Sequence, residues 1–151
     1  MIHHIHFRVI AHATEDLSGV DSALDFFLAP CLSPKENLCD LKETIITEGH
    51  FENPITVKTA VLKKKGACSK FVQFFKDNIS EEDLEILRAQ MPERLDDDLN
   101  FYMRFSKQAA AIGKLKFTES SDAVFVRVKI EVYPKSWEKA GSITEELFGC
   151  K

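Results

Sequence analysis

The stretch from Asn100 to Gly113 constrains this chain most, because an alternating strand runs straight into a polar turn. Period two puts Phe101, Met103 and Phe105 on one face and Asn100, Tyr102, Arg104 and Ser106 on the other, as in a half-buried antiparallel strand. The apolar face requires helices over it. The opposite face carries an aromatic ring, a guanidinium and small polar groups, and the turn adds Lys107 and Gln108. That combination suits the base and phosphate of a nucleotide.

The same segregation recurs along the chain. From Ile2 to Ala13, Ile5, Phe7, Val9 and Ala11 alternate with His4, His6, Arg8 and His12. The clearest strand, Asp122 to Tyr133, sets Val124, Val126, Val128, Ile130 and Val132 against Phe125, Arg127, Lys129, Glu131 and Tyr133. A short strand with Leu115 and Phe117 inward precedes it. Leu38 to Glu48 and Ile55 to Lys63 read as two strands joined by the polar turn Gly49 to Pro54. Adjacent Ile45 and Ile46 leave the facing of the first ambiguous and predict a bulge.

Helices fill the gaps. Thr14 is the expected N-cap of the first, with Leu17, Val20, Leu24, Phe27 and Leu28 as its buried stripe. A second, after Lys63 to Lys65, carries Phe71, Val72, Phe74 and Phe75. A third opens at Ser80 with a near capping box, packs through Leu84, Leu87 and Met91, and is expected to stop at Pro92. Ser136 to Phe148 predicts short helical turns around Gly141. The order β-α-β-β-α-α-β-β-β builds best as one α+β domain over residues 1–151. It is a two-layer open sandwich, a mainly antiparallel sheet with helices on a single face.

If the first, fourth and sixth strands share the open face, His4, His6, Arg8, Tyr102, Arg104, Phe125, Arg127, Lys129 and Tyr133 form one surface. The chain's net charge of −4 argues against coating nucleic acid by bulk attraction, yet the charge is polarised by layer. Glu15, Asp16, Asp21, Asp25, Glu81, Glu82, Asp83 and Glu85 are expected on helices, whereas basic groups dominate the sheet face. Rings among arginines and lysines suit single-stranded RNA, since stacking contributes about 1–3 kcal/mol per base and the cations hold phosphates. The competing reading is a scaffold subunit whose open face binds another protein or a second copy of itself as a homodimer.

Other chemistries are disfavoured. Histidines two apart on a strand lie about 6–7 Å from each other, wide for sharing one ion. No nearby cysteine or carboxylate completes a ligand set, so neither a metal nor another cofactor is expected. Elbow-serine, H-E-x-x-H and phosphate-cradling glycine motifs are lacking, so no catalytic residues are expected. Cys31, Cys39, Cys68 and Cys150 show no C-x-x-C spacing, which fits reduced thiols in a cytoplasmic chain. No apolar run approaches the ~18 residues that span a bilayer, so no membrane partner is expected.

Three motifs also carry a family resemblance: His12 to Asp16, Gly49 to Ile55, and Tyr102 to Ala110 followed by Gly113. In order and spacing, over nearly the whole chain, they resemble an archaeal RNA-binding protein family often labelled exosome subunit. The resemblance implies a fold similar to the ribosomal protein that grips 5S RNA, a non-catalytic RNA-binding role and an RNA-processing complex as partner. By position it marks His12, Thr14, Glu15, Gly49, His50, Asn53, Pro54, Arg104, Lys107, Gln108 and Gly113. Ser106 stands where the family usually has Asp, and Glu52 where it has Gly. These departures put the local hydrogen bonding and loop geometry in question, and an acid at position 52 opposes phosphate contact.

The motifs lie at strand ends. If the first and fourth strands run the same way, His12, Asn53, Lys107 and Gln108 gather at one rim. Lys107 would then contact phosphate, and Gln108 and Asn53 would offer amides to a base edge or backbone. Arg104 has three readings: a phosphate clamp, a bridge to Glu15, or a buried structural ion pair.

Overall fold

A computed structural model describes residues 2–12, 17–32, 41–48, 54–120 and 122–149. Its strands are β1 (Ile2–Ala11), β2 (Lys42–Glu48), β3 (Pro54–Leu62), β4 (Asn100–Ser106) and β5 (Ala123–Ile130). They form one sheet in the order β2-β3-β1-β5-β4, each neighbouring pair antiparallel. Both β1 and β4 are antiparallel to β5, so they run the same way. The helices are α1 (Leu17–Leu28), α2 (Lys65–Asn78), α3 (Glu81–Arg94), α4 (Lys107–Ala111) and α5 (Trp137–Phe148), with a 3-10 turn at Ala29–Cys31. This is the α+β open sandwich expected from the alternation.

The inward faces of the strands and the helix stripes make one aromatic-rich core. Phe7, Phe101 and Phe105 of the sheet and Phe27, Phe71, Phe75 and Phe148 of the helices are fully buried. Each such ring contributes about 1.5–3 kcal/mol relative to exposure. Edge-on and stacked contacts tie the layers together: Phe7 with Phe71 at 5.5 Å, Phe75 with Phe148 at 5.2 Å, and Phe101 with Phe148 at 5.6 Å between ring centres.

The structure departs from expectation at five places. Leu115 and Phe117 make no strand; Phe117 forms a single bridge to Phe105 and stacks on it at 4.9 Å. Strand β5 ends at Ile130, short of Tyr133, because its neighbours end there: Ile130 pairs with Ile2 and Lys129 with Asn100, the first residues of β1 and β4. Helix α3 runs through Pro92 to Arg94, and Arg94 secures its last turn by donating to Gln90 Oε1 and the Tyr102 carbonyl. The C-terminal segment is one continuous helix. Ser136 caps it by accepting from Lys139 N, and buried Ala140, Thr144 and Phe148 form a stripe at helical spacing. The bulge predicted in the second strand is not in β2, whose pairing with β3 is unbroken; an irregularity occurs in β1 between Ile2 and His4.

The Ser106 departure has a local answer. Its hydroxyl accepts from Ala109 N at 3.2 Å, making it the N-cap of α4, a role in which Ser and Asp are near equivalents. Gly113 closes the turn at φ 82°, a left-handed conformation that favours glycine.

Candidate nucleic-acid interface

The open face is built by register. Across β1, β5 and β4, Arg8 lies opposite Phe125 and Phe125 opposite Arg104; in the next row His6 lies opposite Arg127 and Arg127 opposite Tyr102. A third row joins His4, Lys129 and Asn100. The predicted surface is therefore contiguous on three adjacent strands. Tyr133 is not part of it, since it follows the end of β5, where it is 97% exposed.

Phe125 organises the arginines. The Arg8 guanidinium sits 5.0 Å from its ring centre and the Arg104 guanidinium 5.6 Å away, one from each flanking strand. The two guanidiniums share one ring, and N–H groups not used in other contacts can donate to a ligand. Arg104 also donates to the Glu119 carbonyl at 3.3 Å. It is exposed, which corrects the buried ion-pair reading; Glu15 lies outside the described residues. Arg127 Nε is buried without a hydrogen-bond partner. Among the described residues, no carboxylate lies within ion-pair distance of Arg8, Arg104 or Arg127.

This uncompensated charge marks its neighbours. His6 titrates below its ordinary value because of burial first and the nearby Arg127 and Arg8 charges second. His4 is lowered by burial, then by His3, Arg127, Lys129 and His6. Arg94 is lowered by burial and then by repulsion from Arg104. Tyr102 offers the accessible ring. It is 42% exposed, and its hydroxyl donates to Asp96 Oδ2 at 2.9 Å, which anchors the phenol at its far end. Lys129 donates to the Asp98 carbonyl.

A cleft of about 660 Å³ opens on this face. Its floor is His6, Arg8, Arg104, Phe125 and Arg127, and Tyr102 rises beside them. The last turn of α3 supplies one wall through Gln90, Glu93 and Arg94, and Thr118 and Glu119 close the margin next to β4. The sequence reading missed these wall residues. Their grouping depends on α3 running past Pro92, so no local pattern reveals it. Two carboxyl-bearing residues here also qualify the expected separation of acids from the sheet face.

The rim is only partly as expected. Lys107 offers no exposed ammonium: it is 4% exposed, donates to the Ile10 carbonyl at 3.0 Å and pairs with Asp122 Oδ1 at 2.5 Å. Its role is to tie the end of β4 to the end of β1. His12 and Gln108 are exposed at that same end of the sheet. Thr14, His50 and Asn53 lie outside the described residues. Among the described residues, no three His, Cys, Asp or Glu side chains converge to hold a metal ion, and no helix is long and apolar enough to cross a membrane.

Residues 4–132 match a protein-family model described as RNA binding. The chain is 37% identical over 137 residues to RNA-binding protein PAB1135 of Pyrococcus abyssi, covering 90% of this chain and 86% of that one. Among solved structures it is similar to Mth689, a DUF54 protein of Methanothermobacter thermautotrophicus, at 28% identity and a TM-score of 0.74, covering 98% of both chains. Protein AF2318 of Archaeoglobus fulgidus shares the fold at 24% identity with a TM-score of 0.79, covering 97% of this chain and 99% of the other.

Proposed function

The chain belongs to the RNA-binding family whose model spans residues 4–132, and from that premise we propose that the β1-β5-β4 face holds single-stranded RNA. Arg8, Arg104 and Arg127 take the phosphates, and Tyr102 stacks a base; His6 and Lys129 add positive potential beside them. The observation that carries this reading is that, among the described residues, the three arginines have no carboxylate partner and two of them sit over the Phe125 ring. A protein leaves guanidiniums unpaired on a shaped face at a cost in mutual repulsion, and a polyanion relieves it. His12 and Gln108 extend the surface toward the rim, with Thr14, His50 and Asn53 retained as expectations from the sequence. The role is binding without catalysis in an RNA-processing complex such as the exosome, as the sequence resemblance implies, and in the cytoplasm, as the cysteine pattern suggests.

A second reading, a face that docks protein or a second copy of the chain, draws on the row Ile10, Val57 and Ile45, which crosses the same face on β1, β3 and β2. The two separate by salt. A filter-binding titration with mixed-sequence RNA at two salt concentrations should show affinity falling with salt. The double variant Arg8→Ala/Arg104→Ala should bind about tenfold or more weakly. The slope of log affinity against log salt should shrink by about 0.7 per lost phosphate contact. Unchanged affinity and slope in a folded double variant would remove these residues from the site.

A further inference from the structure

The cleft beside β4 has a floor and a wall of different chemistry. Cations cover the floor, but the wall from α3 presents Gln90 and Glu93, one turn apart on the same flank of the helix. Arg94 orients the first of these. Its Nε and Nη2 donate to Gln90 Oε1 at 3.1 and 2.5 Å, and since a guanidinium can only donate, the amide oxygen is committed to Arg94 and the amide NH2 is left for a ligand. Among the described residues none donates a hydrogen bond to the Glu93 carboxylate. Arg94 lies close enough for its charge to act on Glu93, yet a carboxylate without a hydrogen-bond donor on a phosphate-binding cleft weakens that binding by repulsion unless the ligand also brings N–H donors. The wall therefore asks for a group with paired donors next to an acceptor.

Resting on the RNA-binding reading, we infer that this wall reads the Watson–Crick edge of one unpaired guanine. N1–H and the exocyclic amine of guanine donate in parallel to the two oxygens of Glu93, and O6 accepts from the Gln90 amide. Adenine, cytosine and uracil can each match the same wall with at most one donor to the carboxylate and one acceptor for the amide. Guanine alone makes the additional charge-assisted bond. The phosphates of the same nucleotide and its neighbour fall to Arg8 and Arg104 on the floor.

The test is fluorescence anisotropy with labelled oligouridine strands carrying a single central G, A or C, on wild type, Glu93→Gln and Gln90→Ala, with thermal melts to confirm folding. The strand with one G should bind wild type about tenfold more tightly than the others. Glu93→Gln should erase that preference while the affinity for strands without G holds or rises, since a repulsive charge leaves the cleft, and Gln90→Ala should reduce the preference. The inference is overturned if wild type binds all strands alike, if the preference survives Glu93→Gln, or if that variant weakens every strand equally, which would assign the carboxylate to the ribose hydroxyl. If no strand binds even at low salt, the RNA reading itself fails, and that result is distinct from binding without preference.

Discussion

One sheet face carries two chemistries, and the strands that divide them are adjacent. On β1, β5 and β4 the outward residues are Arg8, Phe125, Arg104, Arg127 and Tyr102; on β3 and β2 they are Val57, Thr59, Val61, Glu43 and Ile45. The β2-β3 half is not short of cations. Its lysines face the other way, where Lys42 meets Asp25 at 2.8 Å and Asp21 at 3.4 Å, and Lys58 meets Asp21 at 2.6 Å. Thus one half of the sheet uses its positive charge to fasten α1, and the other half leaves it unneutralised. The lesson is that counting basic residues would not tell the two halves apart, whereas asking which have carboxylate partners does.

The contrast breaks most sharply at Asp21. Asp21→Ala leaves Lys58, only 9% exposed, without its carboxylate. The expected loss is about 2 kcal/mol of stability by chemical denaturation, discounted because Asp21 is itself partly exposed. RNA affinity of the folded variant should be unchanged. Burial raises the Asp21 pKa, but the bond and charge of Lys58 and the charge of Lys42 outweigh it and hold the value below 3.8. The pairing therefore contributes stability above pH 3.8 that is lost as pH falls through the folded value, and acid titrations should be flatter for Asp21→Ala.

Tyr102 gives the converse result. Tyr102→Leu should cost about tenfold in RNA affinity through lost stacking. Melting should move little, since the change removes one exposed hydrogen bond to Asp96. A large stability loss with unchanged affinity would place Tyr102 among the fasteners instead.

The smallest effect concerns His6. Its pKa lies below 6.5 through burial and then the Arg127 and Arg8 charges, so below pH 6.5 the unfolded chain takes the proton more readily and the free protein loses stability. Bound phosphate would offset the arginine charges and raise the pKa. Binding should then take up protons, and affinity should increase about two- to threefold as pH falls from about 7 to 6, an increase reduced in His6→Gln and lost when His4, which also faces Arg127 and Lys129, is replaced as well. Titrations at the two pH values check this.

Much of the architecture was legible because it rests on short-range patterns. Alternation in β1, β4 and β5 located the sheet, its inner face and the row of outward cations without any knowledge of neighbours. What could not be read depends on contacts distant along the chain. Lys107 reads as a turn lysine until Ile10 and Asp122 surround it. Phe125 reads as an exposed stacking ring, but register brings an arginine to each side of it. The wall of the cleft was invisible because Gln90, Glu93 and Arg94 reach the face only through the way α3 ends beside β4. Even the end of β5 was set by where its partners begin, not by its own pattern of valines.

The flank of β4 has one more consequence. Leu95 bridges to Phe101 and Phe117 to Phe105, while Ser106 N donates to the Lys116 carbonyl and Thr118 N to that of Arg104. The outer margin is thereby already occupied by the chain itself. A foreign strand finds no unpaired ladder to zip onto there, so this side can stay wet and sticky toward a polyanion without becoming a seed for aggregation.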